Sequence, residues 1–157
     1  MKRKQLTAKE ALQKLQVLCS HQEKCISEAQ QKLSEWQVST TDRNIIIEQL
    51  VDSKFIDEKR YAEAFVRQKI RINKWGKLKI SYLLHQKRID AAIVEQALAL
   101  FEDDEYGEMI SHEIMKKMSS LDESDVYKRK GKILQFGHSR GYESTCINDA
   151  LVRLNVG

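Results

Sequence analysis

Between residues 64 and 89 the chain has no aspartate or glutamate, yet it carries Arg67, Lys69, Arg71, Lys74, Lys77, Lys79, Lys87 and Arg88. Cations at that density suit one kind of chemistry, holding a polyanion. Their summed field concentrates it, and each phosphate they neutralise releases a condensed counterion. A second acid-free stretch, residues 126–142, adds Lys128, Arg129, Lys130, Lys132 and Arg140. The acids collect elsewhere, notably at residues 102–105 and 122–125. A solvated helix face usually intersperses opposite charges four residues apart, so this segregation points to a binding surface. Trp75 and Tyr82 lie within the first stretch as candidates for stacking on bases. Tyr61, just outside it, reads better as core, and Trp75 before Gly76 could equally wedge two helices apart. Lys77 and Lys79 stand about 200° apart at the roughly 100° step of a helix, so these cations cannot all face one partner.

Other chemistries find no support in the residues. There is no phosphate-binding glycine loop, no dinucleotide fingerprint and no nucleophile elbow. His112-Glu113 begins like a zinc-protease helix, but Lys116 stands where the second histidine is needed, and an ammonium cannot ligate zinc. Cys19, His21 and Cys25 cluster without a second ligand pair, so Cys19 and Cys146 are expected as small core residues. The acidic run at residues 102–105 reads as a solvated helix start at the positive end of a helix dipole. We therefore expect no catalytic residue, no metal ligand and no cofactor.

The elements that carry the cations must be helices. Proline is absent and glycine numbers six in 157 residues. β-Sandwiches and barrels need both residue types at their turns, whereas both disrupt helix interiors. The apolar positions also repeat. Take Val38, Ile89 and Tyr142 as anchors, 51 and 53 residues apart. Ala29, Ile80 and Ile133 lie nine before them, and Leu33, Leu84 and Gly137 five before. Ile46, Ala97 and Ala150 lie eight after, Ile47, Leu98 and Leu151 nine after, and Leu50, Phe101 and Leu154 twelve after. Those offsets describe one apolar stripe on each of two helices joined at the anchor, with Gly137 the misfit. Each copy has a third helix upstream. The first opens on a Thr7…Glu10 capping box, the second runs over 57–74 and the third over 104–118; Asp90 is expected to cap the helix after Ile89.

The expected fold is therefore all-α, with three tandem three-helix repeats forming an elongated, curved body. The expected units are residues 1–54, 55–102 and 103–157. The charged start lacks a secretory apolar run, and no stretch is long and apolar enough for a membrane span. A cytoplasmic monomer with reduced thiols is the expectation that follows.

Three segments resemble one family. Residues 55–67, FIDEKRYAEAFVR, look like the central signature of RecX proteins, an acidic pair before Arg-(Phe/Tyr)-Ala and a basic, apolar helix. Residues 75–89, WGKLKISYLLHQKRI, resemble the family's Gly-x-x-x-Ile-x-x-x-Leu-x-x-Lys-Gly-(Val/Ile) helix, with Arg88 where glycine often stands. Residues 136–143, FGHSRGYE, resemble its closing Phe-Leu-x-x-Arg-Gly-(Phe/Tyr) turn, with Gly137 in place of leucine. The resemblance runs from about residue 8 to the end. It implies three tandem three-helix repeats and a non-enzymatic regulator. It also implies binding in the groove of the RecA–DNA filament, with inhibition of ATP turnover and strand exchange in recombination and repair. Single- or double-stranded DNA would be a weaker partner. No fixed contact motif comes with the family, so only the basic face is carried over: Arg67, Lys69, Arg71, Lys74, Lys77, Lys79, Lys87, Arg88, Arg129, Lys130, Lys132 and Arg140. The alternative is a stand-alone nucleic-acid-binding helical protein that uses the basic stripe by itself.

Overall fold

The structure, a computed structural model, describes residues 5–102 and 104–155. Their regular structure is entirely helical: α1 (Ala8–His21), α2 (Ile26–Glu35), α3 (Thr40–Asp52), α4 (Glu58–Arg71), α5 (Lys77–Gln86), α6 (Ala91–Ala99), α7 (Asp104–Ser120), α8 (Val126–Ser139) and α9 (Ser144–Arg153). The main helix packing falls within three triplets, α1–α3, α4–α6 and α7–α9. Among the described residues no helix is long and apolar enough to cross a membrane.

Local chemistry sets the helix starts. Asp57, Asp90 and Asp125 each accept a backbone N–H of the first turn, at 3.0, 2.8 and 3.0 Å, which satisfies a donor the helix leaves free. The Thr7 hydroxyl accepts from the Glu10 amide at 3.2 Å, while the Glu10 carboxylate accepts from that hydroxyl rather than from the backbone. Helix α4 stops at Arg71, short of the expected residue 74, because Lys74 takes a left-handed φ of 59° and the Trp75 amide turns back to the Lys69 carbonyl.

The repeat is visible in the backbone as well as in the core. At the residue before each anchor, Gln37, Arg88 and Gly141 adopt φ of 58°, 61° and 86°. Their amides donate to Ser34, His85 and His138, while the anchor amides Val38, Ile89 and Tyr142 donate five residues back to Leu33, Leu84 and Gly137. This is the same left-handed helix stop three times over, and all three anchors are buried. It explains why glycine suits position 88, since a Cβ is strained at positive φ. Gly137 also has a reason. A side chain there would meet Ile147 Cδ1 at 2.6 Å, so α9 fills the volume that Leu33 and Leu84 fill in the other copies. Glycine relieves the left-handed strain of about 1–2 kcal/mol at an entropic cost of about 0.5–1 kcal/mol. Gln37→Gly should therefore stabilise the fold by about 0.5–1 kcal/mol, read as a small rise in the melting midpoint; a fall would contradict this account of the turn.

The three triplets do not share one core. Ala11, Leu15, Ala29, Leu33, Ile46 and Leu50 pack within α1–α3. A second, continuous core runs through α4–α9, from Tyr61 and Ile70 to Ile114, Ile133 and Tyr142. Cys25, at the head of α2, is the one buried first-triplet residue in that second core. The expectation for the thiols is corrected here: Cys19 and Cys146 are half-buried, and Cys25 is the core cysteine. It sits where the first triplet meets α4, and burial pushes its thiol pKa up. Around it the seam is ionic, with the Arg60 guanidinium donating to Glu23 at 2.6 Å and the Lys87 ammonium 3.5 Å from Glu28.

Candidate functional site

The seam between the second and third triplets is built from backbone. Helix α5 begins at Gly76 without a side-chain cap. The Gly76 amide donates to the Arg140 carbonyl at 2.7 Å, and the Leu78 amide to the Gly141 carbonyl at 3.0 Å. The Lys77 amide donates to the Tyr106 hydroxyl at 2.9 Å, which itself donates to Glu143 at 2.5 Å. The turn between α8 and α9, together with Tyr106, thus caps α5 from another triplet. The Tyr142 hydroxyl closes the arrangement by donating to the Lys74 carbonyl at 2.6 Å. Burial raises the Tyr106 hydroxyl pKa well above its ordinary value, with the Glu143 carboxylate adding to it, and burial pushes Tyr142 up to about 12. Both phenols therefore stay protonated and remain donors.

Close approach requires two glycines. A Cβ on Gly76 would lie 2.2 Å from the Gly141 carbonyl oxygen, and one on Gly141 would lie 2.3 Å from the Lys79 Cβ. The second and third family-like segments thus meet in space through their glycines.

Around this seam stand Lys69, Lys74, Trp75, Lys77, Lys79 and Arg140. The Lys69 and Lys79 ammoniums lie 4.8 and 4.2 Å from the Trp75 ring centroid, and Lys69 is also 5.3 Å from that of Phe65. Lys77 lies 4.8 Å over Tyr106. Aromatic faces attract ammoniums through the ring quadrupole while leaving their net charge intact. The result is a group of cations, three of them set over rings, with no ion pair among the described residues for Lys69, Lys74, Lys77 or Lys79. The Gly76, Lys77 and Leu78 amides are occupied, so side chains are the main donors offered to an anion here.

The remaining expected contact residues lie elsewhere, several of them neutralised. Arg71 pairs with Glu105 at 3.2 Å and lies over the Phe101 ring, with Arg67 one turn earlier on α4. Lys87 and Arg88 sit at the far end of α5, where Lys87 reaches Glu28 of the first triplet at 3.5 Å and Arg88 is exposed. Arg129 donates to the Met118 carbonyl at 3.0 Å, Lys132 pairs with Glu123 at 3.2 Å, and Lys130 is exposed on α8. Arg140, at the seam itself, is also partly neutralised: it lies 3.8 Å from the buried Glu113 carboxylate, which Lys116 approaches at 3.7 Å. Of the two stacking candidates, Trp75 has lysines over its ring, while Tyr82 is exposed on α5 and its hydroxyl accepts from Gln86.

Sequence reasoning missed Tyr106, Glu113 and Tyr127. Tyr106 was legible, since it precedes Ile110 and Ile114 at steps of four. The role of Glu113 as a buried counter-charge was not. Tyr127 opens α8 at 92 % exposure. Among the described residues no group of three or more His, Cys, Asp or Glu side chains is gathered to hold a metal ion.

Comparison with known proteins matches residues 57–98 to the family model described as RecX, second three-helix domain. That segment spans α4 to α6. "Regulatory protein RecX" of Chlorobium phaeobacteroides is 33 % identical over 105 residues, covering 67 % of each chain. The protein of the same name from Clostridium acetobutylicum is 34 % identical over 110 residues, covering 68 % of this chain. The match spans 50 % of that clostridial relative's length. In fold, the chain is similar to the crystal structure of RecX from Lactobacillus salivarius, with a TM-score of 0.85 at 24 % identity over 96 % of this chain and 97 % of the other. The fold, the order of the motifs and these matches converge, and the chain belongs to the RecX family of regulatory proteins.

Proposed function

We propose that this chain binds the RecA recombinase filament and inhibits its ATP hydrolysis and strand exchange, as a non-enzymatic regulator of recombination and repair. The observation that carries the reading is the cluster of Lys69, Lys74, Lys77 and Lys79, unneutralised and held by a backbone-to-backbone seam between two triplets. A rigid basic surface of that kind suits a repeating polyanionic target, because several weak contacts made at once add through effective concentration. Residues 1–54, 55–102 and 103–157 are taken as the three units, the second and third carrying the contact surface.

Titration of the purified chain into cognate RecA on single-stranded DNA tests this directly. Near-stoichiometric or smaller amounts should suppress both ATP turnover and strand exchange. Unchanged activities at several-fold excess would overturn the reading. Equal affinity for bare single-stranded DNA and for the filament at physiological salt would favour the stand-alone nucleic-acid-binding alternative.

A further inference from the structure

Most aromatic side chains here are engaged with the core, a lysine or arginine, or a hydrogen bond. Tyr127 is the exception. Among the described residues it has no ring, cation, hydrogen-bond or core partner, and it is 92 % exposed beside Val126, itself 69 % exposed. A single exposed aromatic residue is ordinary on a protein surface, so exposure alone assigns nothing. Its neighbour one turn on is the second observation. Residue 131 is a glycine, inside a helix and with nothing within 4 Å of where its Cβ would be. Glycine in a helix interior is less favourable than any residue but proline, and no close packing requires it here.

Geometry says what the glycine leaves open. Helical side chains lean toward the N-terminus, so a side chain at position i+4 rests against the one at i. With glycine at 131, the side of the Tyr127 ring facing along the helix is bare. Lys128 and Lys130 flank it with no ion pair among the described residues. The nearest acids are committed: Asp125 caps α8 at the Lys128 amide, and Glu123 binds Lys132 and the Asp125 amide. An open aromatic face between two uncompensated lysines is the chemistry of base stacking with phosphate contact. Duplex bases are already stacked, so the matching ligand has unpaired bases. We infer that Tyr127, with the gap at Gly131 and the ammoniums of Lys128 and Lys130, forms a stacking platform for single-stranded nucleic acid on α8. It is separate from the Trp75 cluster and does not depend on RecA.

The test is fluorescence anisotropy at low salt with the full chain and three labelled oligomers of equal length: oligo(dT), oligo(rU) and an abasic oligodeoxynucleotide. Tyr127→Ala should weaken binding to a base-bearing oligomer about tenfold, within the range that one stacked base contributes, and leave abasic binding unchanged. Tyr127→Phe should retain affinity, because the ring rather than the hydroxyl is used. Gly131→Leu should lose the same tenfold while raising the melting midpoint, since leucine fills the gap and is the better helix former; this separates a blocked platform from a damaged fold. Dependence on Tyr127 with either base-bearing oligomer supports the platform, and the one that shows it identifies the source. An unaltered Tyr127→Ala, or an equal loss on the abasic oligomer, would overturn it. So would a loss seen only on RecA filaments, which would make Tyr127 a protein contact. Inhibition of RecA ATP turnover, assayed in parallel, tells a failure of this platform from a failure of the filament reading.

Discussion

Gly76→Ala is expected to lower the melting midpoint by about 9 °C, the equivalent of roughly 3 kcal/mol for a chain of this size. The added methyl would sit 2.2 Å from the Gly141 carbonyl oxygen, and that neighbour is backbone, which cannot swing aside. Separating the two segments breaks the Gly76-to-Arg140 and Leu78-to-Gly141 hydrogen bonds and exposes first-turn amides of α5 that have no side-chain cap. Gly141→Ala should be comparably severe, since it adds left-handed strain at φ 86° to a 2.3 Å clash with Lys79 Cβ. Gly131→Ala is the matched control, because open space surrounds it, and it should stabilise. Thermal melts followed by circular dichroism decide the point. A Gly76→Ala midpoint within 2 °C of the parent's would mean that the seam does not hold the second and third triplets together.

Neutralising Lys69, Lys77 and Lys79 together with glutamine should weaken filament binding about a hundredfold, taking ~1 kcal/mol for each exposed ionic contact. Where the contacts are phosphates, the slope of log affinity against log salt should fall by about 1 for each lysine removed. The fold should survive, because these ammoniums make no ion pair among the described residues and the cation–ring contacts they give up are individually weak. Lys9→Gln with Lys14→Gln is the control, a two-charge change in the first triplet, and should have a smaller effect per charge removed. Equal losses per charge from the two sets would show that net charge, rather than a positioned surface, carries the affinity. Arg71, Lys87 and Lys132 should matter less than the seam lysines, since Glu105, Glu28 and Glu123 already neutralise them.

The helices, their repeat and much of the core were determined by the sequence itself. Helix formation, capping and apolar periodicity connect residues a few positions apart, and the three anchors Val38, Ile89 and Tyr142 are buried as their shared offsets imply. Even the departures carried information, since Arg88 and Gly137 stand where a left-handed turn and a facing Ile147 impose their own demands. What only the tertiary structure decided was which cations are free. The basic stretches lack acids in sequence, but folding brings Glu105 to Arg71 across 34 positions and Glu28 to Lys87 across 59. Coulomb interactions depend on distance in space and on solvent exposure, neither of which a linear count of charges contains. The tertiary structure likewise placed lysines over Trp75, left the Tyr127 ring open, and capped α5 with a turn from another triplet, because each of those outcomes depends on how separate helices pack.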